Sequence, residues 1–303
     1  GWRGGLIVAC PKCRTGGRSY SWVKSRLQEG GMIKKAPGRG KHRKRRERSP
    51  WPGMMLHQDG STHAWVPGCQ WDLIVTMDDA TNEHHSMFFV DEEGTASSLR
   101  GVREVLEARG LFSSLYTDRG SHYWHTPAAG GKVDRSRPTQ FGRAMQQLGI
   151  EMIAAYSPEA RGRSERMFST HQARLPRELA LRGITEMEAA NRYLREHYLP
   201  AFNAEFMQPA MEDGSAFVPD VGRDLNDVLC EQFERTVGKD NCVSFESLKL
   251  QIPADRARHH YVKAQVRVIR HIDGRLALFH GPRLLARYGP DGALEKRSLQ
   301  AAA

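Results

Sequence analysis

The stretch MMLHQDGS, residues 54–61, runs from a short apolar segment onto a carboxylate, Asp59. Two later stretches offer carboxylates in different local settings. LYTDRGS (115–121) places Asp118 at the end of a second apolar run. SPEARGRSERMF (157–168) carries Glu165 after a Pro/Gly-containing loop, where a helix opens. A fold that brings two strand ends and a helix start together gathers three anionic oxygen donors around one point, an arrangement suited to hard divalent cations and phosphoryl transfer. Taken singly, each acid has an ordinary explanation: an Asp after a strand is a turn residue, and a Glu in the first turn of a helix favours the macrodipole. The order and context of the three carry the reading.

The elements around these acids follow from hydrophobic period. Met54–Leu56, WDLIVTM (71–77) and SMFFV (86–90) read as strands. The last two bracket DDATNEHH, a hairpin loop in which Asp78 and Asp79 are turn formers rather than ligands. Leu99, Val102 and Leu106 share one face of a helix over 97–108, stopped by Gly110. Ser114–Thr117 is a fourth strand. Thr139 caps a helix with Phe141, Met145 and Leu148 on one stripe, and 150–155 is a fifth strand. After the loop 157–163, a helix from about Ser164 offers Met167, Phe168, Leu175 and Leu179 for packing. Three strands, helix, strand, helix, strand, helix is the α/β pattern of a mixed sheet with flanking helices, and the order of an RNase H-like domain. The polar insertion 121–138 is of a length that compact domains usually keep for function or leave disordered.

The 303 residues carry a net charge of +10, unevenly spread. Residues 33–50 hold nine Lys or Arg against one Glu, including Arg43, Lys44, Arg45 and Arg46. Such a run packs no core. It is either a phosphate-neutralising arm on DNA, the reading favoured here, or a solvated tether. No apolar run is long enough to span a bilayer, and no signal-peptide pattern is present. The first residue is Gly rather than Met, as in a fragment or processed piece. Five scattered cysteines (10, 13, 69, 230, 242) form no disulfide framework and suit a reducing cytosol. Cys10 and Cys13 have the spacing of half a zinc site, with no second pair nearby.

Upstream of the arm, SYSWVKSRLQ (19–28) reads as a short helix ended by Gly30 or Gly31: either the second helix of a helix-turn-helix or a surface helix. Beyond Ala204, Pro and acidic residues mark a linker, and a strand-rich region follows from about Val237 to Tyr288. In YVKAQVRVIR (261–270), Val262, Ala264, Val266 and Val268 alternate with Lys263, Gln265 and Arg267, and Asp273-Gly274 signals a hairpin. With Arg270, Arg283 and Arg287, this suggests a small β-barrel-like domain with a basic face.

Phosphodiester chemistry on two Mg²⁺ ions would use Asp59 to bridge the metals, Asp118 to bind one and Glu165 the other. HQDGS, YTDRGS and SPEARGRSERMFST resemble the three acidic motifs of DDE transposase and retroviral-integrase catalytic cores. The similarity is closest to bacterial insertion-sequence transposases of the IS481 and ISNCY kind. It covers roughly residues 50–205, and DNCVSFESLKLQIP (240–253) with HYVKAQVRVIRHIDGRLALFHGPR (260–283) resembles their C-terminal DNA-binding region.

The resemblance implies an enzyme that cuts at the 3′ ends of an element and joins those hydroxyls to target DNA. It implies Mg²⁺ or Mn²⁺ as cofactor and a multimer assembled on paired DNA ends in the bacterial cytoplasm, nucleoid-associated when bound. The implied organisation is a truncated helix-turn-helix remnant and basic linker (1–50), an integrase catalytic core (51–205), a linker (206–236), a β-rich DNA-binding domain (237–290) and a tail. Glu159 competes with Glu165 as third acid, and Glu165 is chosen for its place between Arg163 and Arg166. Arg119, Arg163 and Arg166 suit substrate phosphates, because guanidinium binds phosphate bidentately. His57 and His122 flank the site. Two alternatives stay open: a hydrolytic nuclease on the same fold, and an inactive remnant that only binds DNA.

Overall fold

A computed structural model describes residues 20–33, 47–128, 131–156, 158–219, 224–254 and 258–295, with backbone alone at 20–21 and 158–164. Arg43, Lys44, Arg45, Arg46, Cys10, Cys13 and the side chains of Glu159 and Arg163 lie outside the described residues. The chain divides into two compact units, Gly1–Arg45 and Arg46–Ala303. In the first, the expected short helix is α1, Tyr20–Glu29.

The second unit opens on a five-stranded sheet of β1 (Met55–Val66), β2 (Cys69–Asp78), β3 (His84–Val90), β4 (Ser114–Thr117) and β5 (Glu151–Ala154), in the order β3-β2-β1-β4-β5. β1, β2 and β3 pair antiparallel, whereas β4 lies parallel to both β1 and β5. This is the expected mixed sheet. Its strands β1 and β2 continue to a hairpin at Val66 and Cys69, so β1 is far longer than the run 54–56 suggested, and Asp59 sits within it. Cross-strand pairing with β2 carries β1 through Asp59 and Gly60, residue types that are individually poor in strands.

The turn after β2 is built by Asp78, as expected. Its buried carboxylate accepts the backbone N–H groups of Gly53 (2.7 Å), Ala80 and Thr81 (both 2.9 Å). Asp79 is also buried, but accepts from Ser49 N (2.7 Å) and contacts His57 Nε2 at 2.7 Å. His57 is therefore a core histidine and not a group facing DNA.

Helices cover both faces. On one, α2 (Thr95–Arg109) and α3 (Gln140–Leu148) bury Leu99, Val102, Leu106, Phe141, Met145 and Leu148 against Leu56, Leu115 and Ile150. Thr139 caps α3 by accepting from Gly142 N at 3.1 Å, and Gly149 ends it at φ 76°, a conformation glycine adopts without a Cβ penalty. On the other face, α4 (Pro158–Leu181) contributes Met167, Phe168, Leu175 and Leu179 to a core with Leu73, Val75, Met77, Met87 and Phe89. α4 begins six residues before the expected Ser164. Proline suits the first helical turn because its missing N–H would be unpaired there anyway, and Gly162 does not interrupt the helix.

The same core is closed by α5 (Met187–Tyr193), a π-helical turn at Leu194–Tyr198 and α6 (Leu199–Phe206). The π turn spans Glu196, the residue four before Pro200, where the proline has no N–H to donate and its ring would crowd the carbonyl of a regular α-helix.

A short helix, α7 (Leu225–Val228), leads to β6 (Cys230–Thr236), which starts within the stretch read as linker. β6 joins β9 (Gln265–His271), β10 (Leu276–His280) and β11 (Arg283–Tyr288) in an antiparallel sheet ordered β11-β10-β9-β6, beside a separate hairpin of β7 (Cys242–Phe245) and β8 (Leu248–Gln251). The sheet is open, and the barrel-like closure expected of this region is not seen in its strand pairing. Val266 and Val268 point into a core with Val243, Phe245, Leu250 and Tyr288, while Gln265 and Arg267 point out, as the alternation suggested. The alternating run begins late because Lys263 takes φ 64°, outside the strand region.

Candidate active site

Strand register sets the segments leading to Asp59 and Asp118 side by side. β1 and β4 pair as Met55↔Ser114, Leu56↔Leu115 and His57↔Tyr116. Asp59 and Asp118 each lie two residues beyond the last of these pairs. The neighbouring strands that lead to them stand about 4.8 Å apart. Leu56 packs under α2 and α3, so three residues later Asp59 turns to the opposite face of β1, the layer of α4. Asp118 Oδ1 accepts from Gly120 N at 2.7 Å, which folds the chain into a turn immediately after β4. Asp59 Oδ1 accepts from Gly60 N at 3.1 Å.

Glu165 lies on α4 with its side chain exposed. Gln172, seven residues on and therefore on the same helical stripe, donates from Nε2 to Ser61 Oγ at 2.9 Å. The stripe that carries Glu165 thus contacts β1 just past Asp59. Among the described residues, no three His, Cys, Asp or Glu side chains stand close enough to hold a metal ion together. The oxygen-only pair still fits Mg²⁺, which commonly takes one or two carboxylates and completes its octahedron with water and substrate phosphate.

A further carboxylate, absent from the sequence reading, reaches the site from the other face of β1. Glu93 covers Gly60 so closely that a Cβ at position 60 would stand 2.2 Å from Glu93 Oε2. Its Oε1 is 3.5 Å from Tyr123 Oη and 3.4 Å from His122 Nε2. Tyr123 is buried; its hydroxyl also reaches Gln58 Oε1 (3.2 Å) and Ser98 Oγ (3.2 Å). Burial pushes the Tyr123 phenol well above its ordinary value, and the charges of Glu93, Asp59 and Asp118 push it the same way. Behind Asp118, Trp124 Nε1 donates to Thr117 Oγ1 at 2.9 Å and pins the insertion to the end of β4.

The basic residues divide. Arg119 donates to Gly131 O at 2.8 Å and sits 5.3 Å from the Tyr156 ring, so it clamps the insertion. Arg166 is exposed beside Glu165. Lys263 and Arg267 are exposed on the C-terminal β region, with the Arg267 guanidinium 5.8 Å from the Phe279 ring.

Fold and site define a mixed α/β domain with Asp59 within β1 and Asp118 just past the end of the parallel neighbour β4. No family model matches the chain. Its sequence is 33% identical over 230 residues to the putative transposase y4bF of Sinorhizobium fredii, covering 74% of this chain and 49% of that protein. It is 28% identical over 235 residues to the transposase for insertion sequence IS1202 of Streptococcus pneumoniae, covering 77% of this chain and 50% of that protein. The chain is thus a relative of insertion-sequence transposases, as its three acidic motifs indicated, and it spans about half the length of the curated relatives it matches. Among solved structures it is similar to a simian T-cell lymphotropic virus intasome, with TM-score 0.43 and 13% identity over 94% of this chain and 93% of that one. It is also similar to the HTLV-2 integrase catalytic core domain in complex with magnesium, with TM-score 0.37 and 13% identity over 48% of this chain and 88% of that one.

Proposed function

We propose that this chain is the catalytic part of a bacterial insertion-sequence transposase, using Asp59, Asp118 and Glu165 for metal-dependent 3′-end cleavage and strand transfer. The observation that carries the reading is the parallel pairing of the strand segments that lead to Asp59 and Asp118, in a chain 33% identical to a protein named as a transposase. Asp59 and Asp118 would hold the cation from the sheet side. Glu165, on the exposed side of α4, would complete the set from the helix layer packed on β1. Bound Mg²⁺ or Mn²⁺, as a pair of ions, supplies charge neutralisation at the phosphate and a more acidic attacking hydroxyl.

In cleavage, a water oxygen bonds to phosphorus while the P–O3′ bond breaks, leaving a 3′-hydroxyl on the element end. In transfer, that hydroxyl attacks a target phosphodiester and expels the target's own 3′-oxygen, so bonds made and broken balance. The chain's part is to orient the two DNAs. Arg166 suits the scissile phosphate, with Arg163 beside it in sequence; the arm Arg43–Arg46 and the pair Lys263 and Arg267 suit the flanking backbone. Arg119, turned onto the insertion, contributes by holding that loop over the site. Element ends and target DNA are the partners, bound by a homo-oligomer in the bacterial cytoplasm and nucleoid. No helix among the described residues is long and apolar enough to cross a membrane.

Incubating the full chain with labelled element-end DNA, target plasmid and Mg²⁺ tests the reading. Joined products are expected. Cleavage without joined products would leave the hydrolytic nuclease instead.

A further inference from the structure

We infer that Glu93 is a positioning residue of this site: seated on Gly60 and reaching His122 and Tyr123, its carboxylate holds the Asp118 loop against the Asp59 strand. The inference rests on the metal-binding reading of the aspartate pair given above.

The contact with Gly60 is the first support. A side chain at 60 would collide with the Glu93 carboxylate at 2.2 Å from Oε2 and 2.5 Å from Cδ, so the glycine of HQDGS makes room for an acid on top of the backbone next to Asp59. Glu93 is held from behind as well, since its backbone N–H donates to Asp72 Oδ2 at 2.6 Å and Asp72 pairs with Thr62 of β1.

The second support is the link to the Asp118 turn. Gly120, whose N–H binds Asp118 Oδ1, stands so near the His122 ring that a Cβ there would meet it at 2.9 Å. Tyr123 N and Trp124 N both donate to Gly120 O, so the turn that orients Asp118 is continuous with the two residues that meet Glu93. The His122 and Tyr123 rings lie 4.0 Å apart, forming one surface against the carboxylate. Glu93 therefore joins two elements, each of which presents one aspartate. A side chain that only began α2 would need none of these contacts, because the cap of that helix is Gly94.

The test is direct Mn²⁺ binding to the full chain by titration calorimetry, without DNA. Glu93→Gln keeps the size of the side chain and an acceptor oxygen, so the packing on Gly60 survives while the charge is lost. Outer partners of metal ligands typically govern affinity by about 10- to 100-fold, and a weakening in that range is expected with the metal-free melting temperature unchanged. Tyr123→Phe, which cuts the hydroxyl link and leaves Glu93 in place, is expected to weaken Mn²⁺ binding less, and serves if the glutamine variant does not fold. Asp118→Asn is expected to weaken it most. If Asp118→Asn loses Mn²⁺ while Glu93→Gln and Tyr123→Phe bind as the parent does, the role of Glu93 is wrong and the aspartate site stands. If Asp118→Asn itself binds as the parent does, the aspartate site is wrong.

Discussion

Asp59 within β1 and Asp118 just past the end of β4 each follow by two residues the Cα partners His57 and Tyr116. The parallel ladder between β1 and β4 ends at that point: β4 stops at Thr117, whereas β1 runs on beside β2 alone. The two aspartates therefore follow the point where the sheet opens, with β1 paired to β2 on one side and no strand on the other. Two anions fixed side by side repel until a cation arrives.

That repulsion makes Asp59→Asn a stabilising change in the absence of metal. We expect its melting temperature in chelator to exceed the parent's, by an amount equivalent to roughly 0.5–1 kcal/mol, in line with the stability that functional sites commonly give up. Mg²⁺ should raise the melting temperature of the parent and leave that of the variant unchanged. A variant less stable than the parent in chelator would show that the two charges are not in conflict.

A chain of neutral histidines joins β3 to α4. His84 Nδ1 donates to Asn82 O at 2.9 Å, which leaves its Nε2 as acceptor; His171 Nε2 donates to it at 3.2 Å; and Tyr198 Oη donates to His171 Nδ1 at 2.9 Å. Burial lowers His84 to about 4 and holds His171 well below its ordinary value, with Arg174 and the neighbouring histidine acting the same way on His171. Both folded values lie below the unfolded value near 6.5, so the unfolded chain binds more protons in the window between. Stability is complete above about pH 6.5 and is lost as pH falls toward about 4, by up to ~1.4 kcal/mol per pH unit for each histidine. Urea midpoints across this window should fall less steeply in His171→Gln. Equal slopes would contradict the neutral chain.

The C-terminal sheet is fastened to α3. Gln140 exchanges hydrogen bonds with the backbone of Gln232, donating to its O at 2.7 Å and accepting from its N at 2.9 Å. Arg143 donates to Val228 O at 3.3 Å and to Cys230 O. Arg143→Ala leaves both carbonyls without that donor, at a cost of roughly 1–3 kcal/mol. Hydrogen exchange should quicken at β6 while β1 and β2 keep their protection. Unchanged exchange at β6 would place the fastening elsewhere.

Arg267 projects from the exposed side of β9 next to Phe279, a pairing of cation and ring suited to a nucleic-acid backbone and base. If it neutralises a phosphate, Arg267→Ala should reduce the slope of log affinity against log salt by about 0.9 for duplex DNA, across unrelated sequences. An unchanged slope with unchanged affinity would remove this residue from the interface.

Much of this was readable from the chain. Asp118 stood out because a four-residue apolar run ends on it and a glycine follows two residues later; β4 and its turn have those bounds. Thr139 and Gly149 marked α3 through their capping chemistry, which acts locally. The start of α4 was hidden because Pro158 and Gly162 usually signal a loop, and packing of Met167 and Phe168 outweighs that signal. Glu93 was invisible for a different reason. It is one of three consecutive acids, Asp91, Glu92 and Glu93, and only the approach of α2 to Gly60 selects it. Closure of the C-terminal strands was equally beyond reach: alternation identifies strands, while closure depends on pairing between edges β6 and β11, which belong to an open sheet.

The central claim is that the aspartate pair performs metal-dependent chemistry on DNA, and strand transfer by Asp118→Asn against the parent chain tests it most directly. With labelled element-end DNA, target plasmid and Mg²⁺, the parent should give joined products. Asp118→Asn should bind the same DNA and give fewer by at least roughly 100-fold, the scale of one lost catalytic group. Cleavage and joining at the parent's rate in Asp118→Asn would contradict the account.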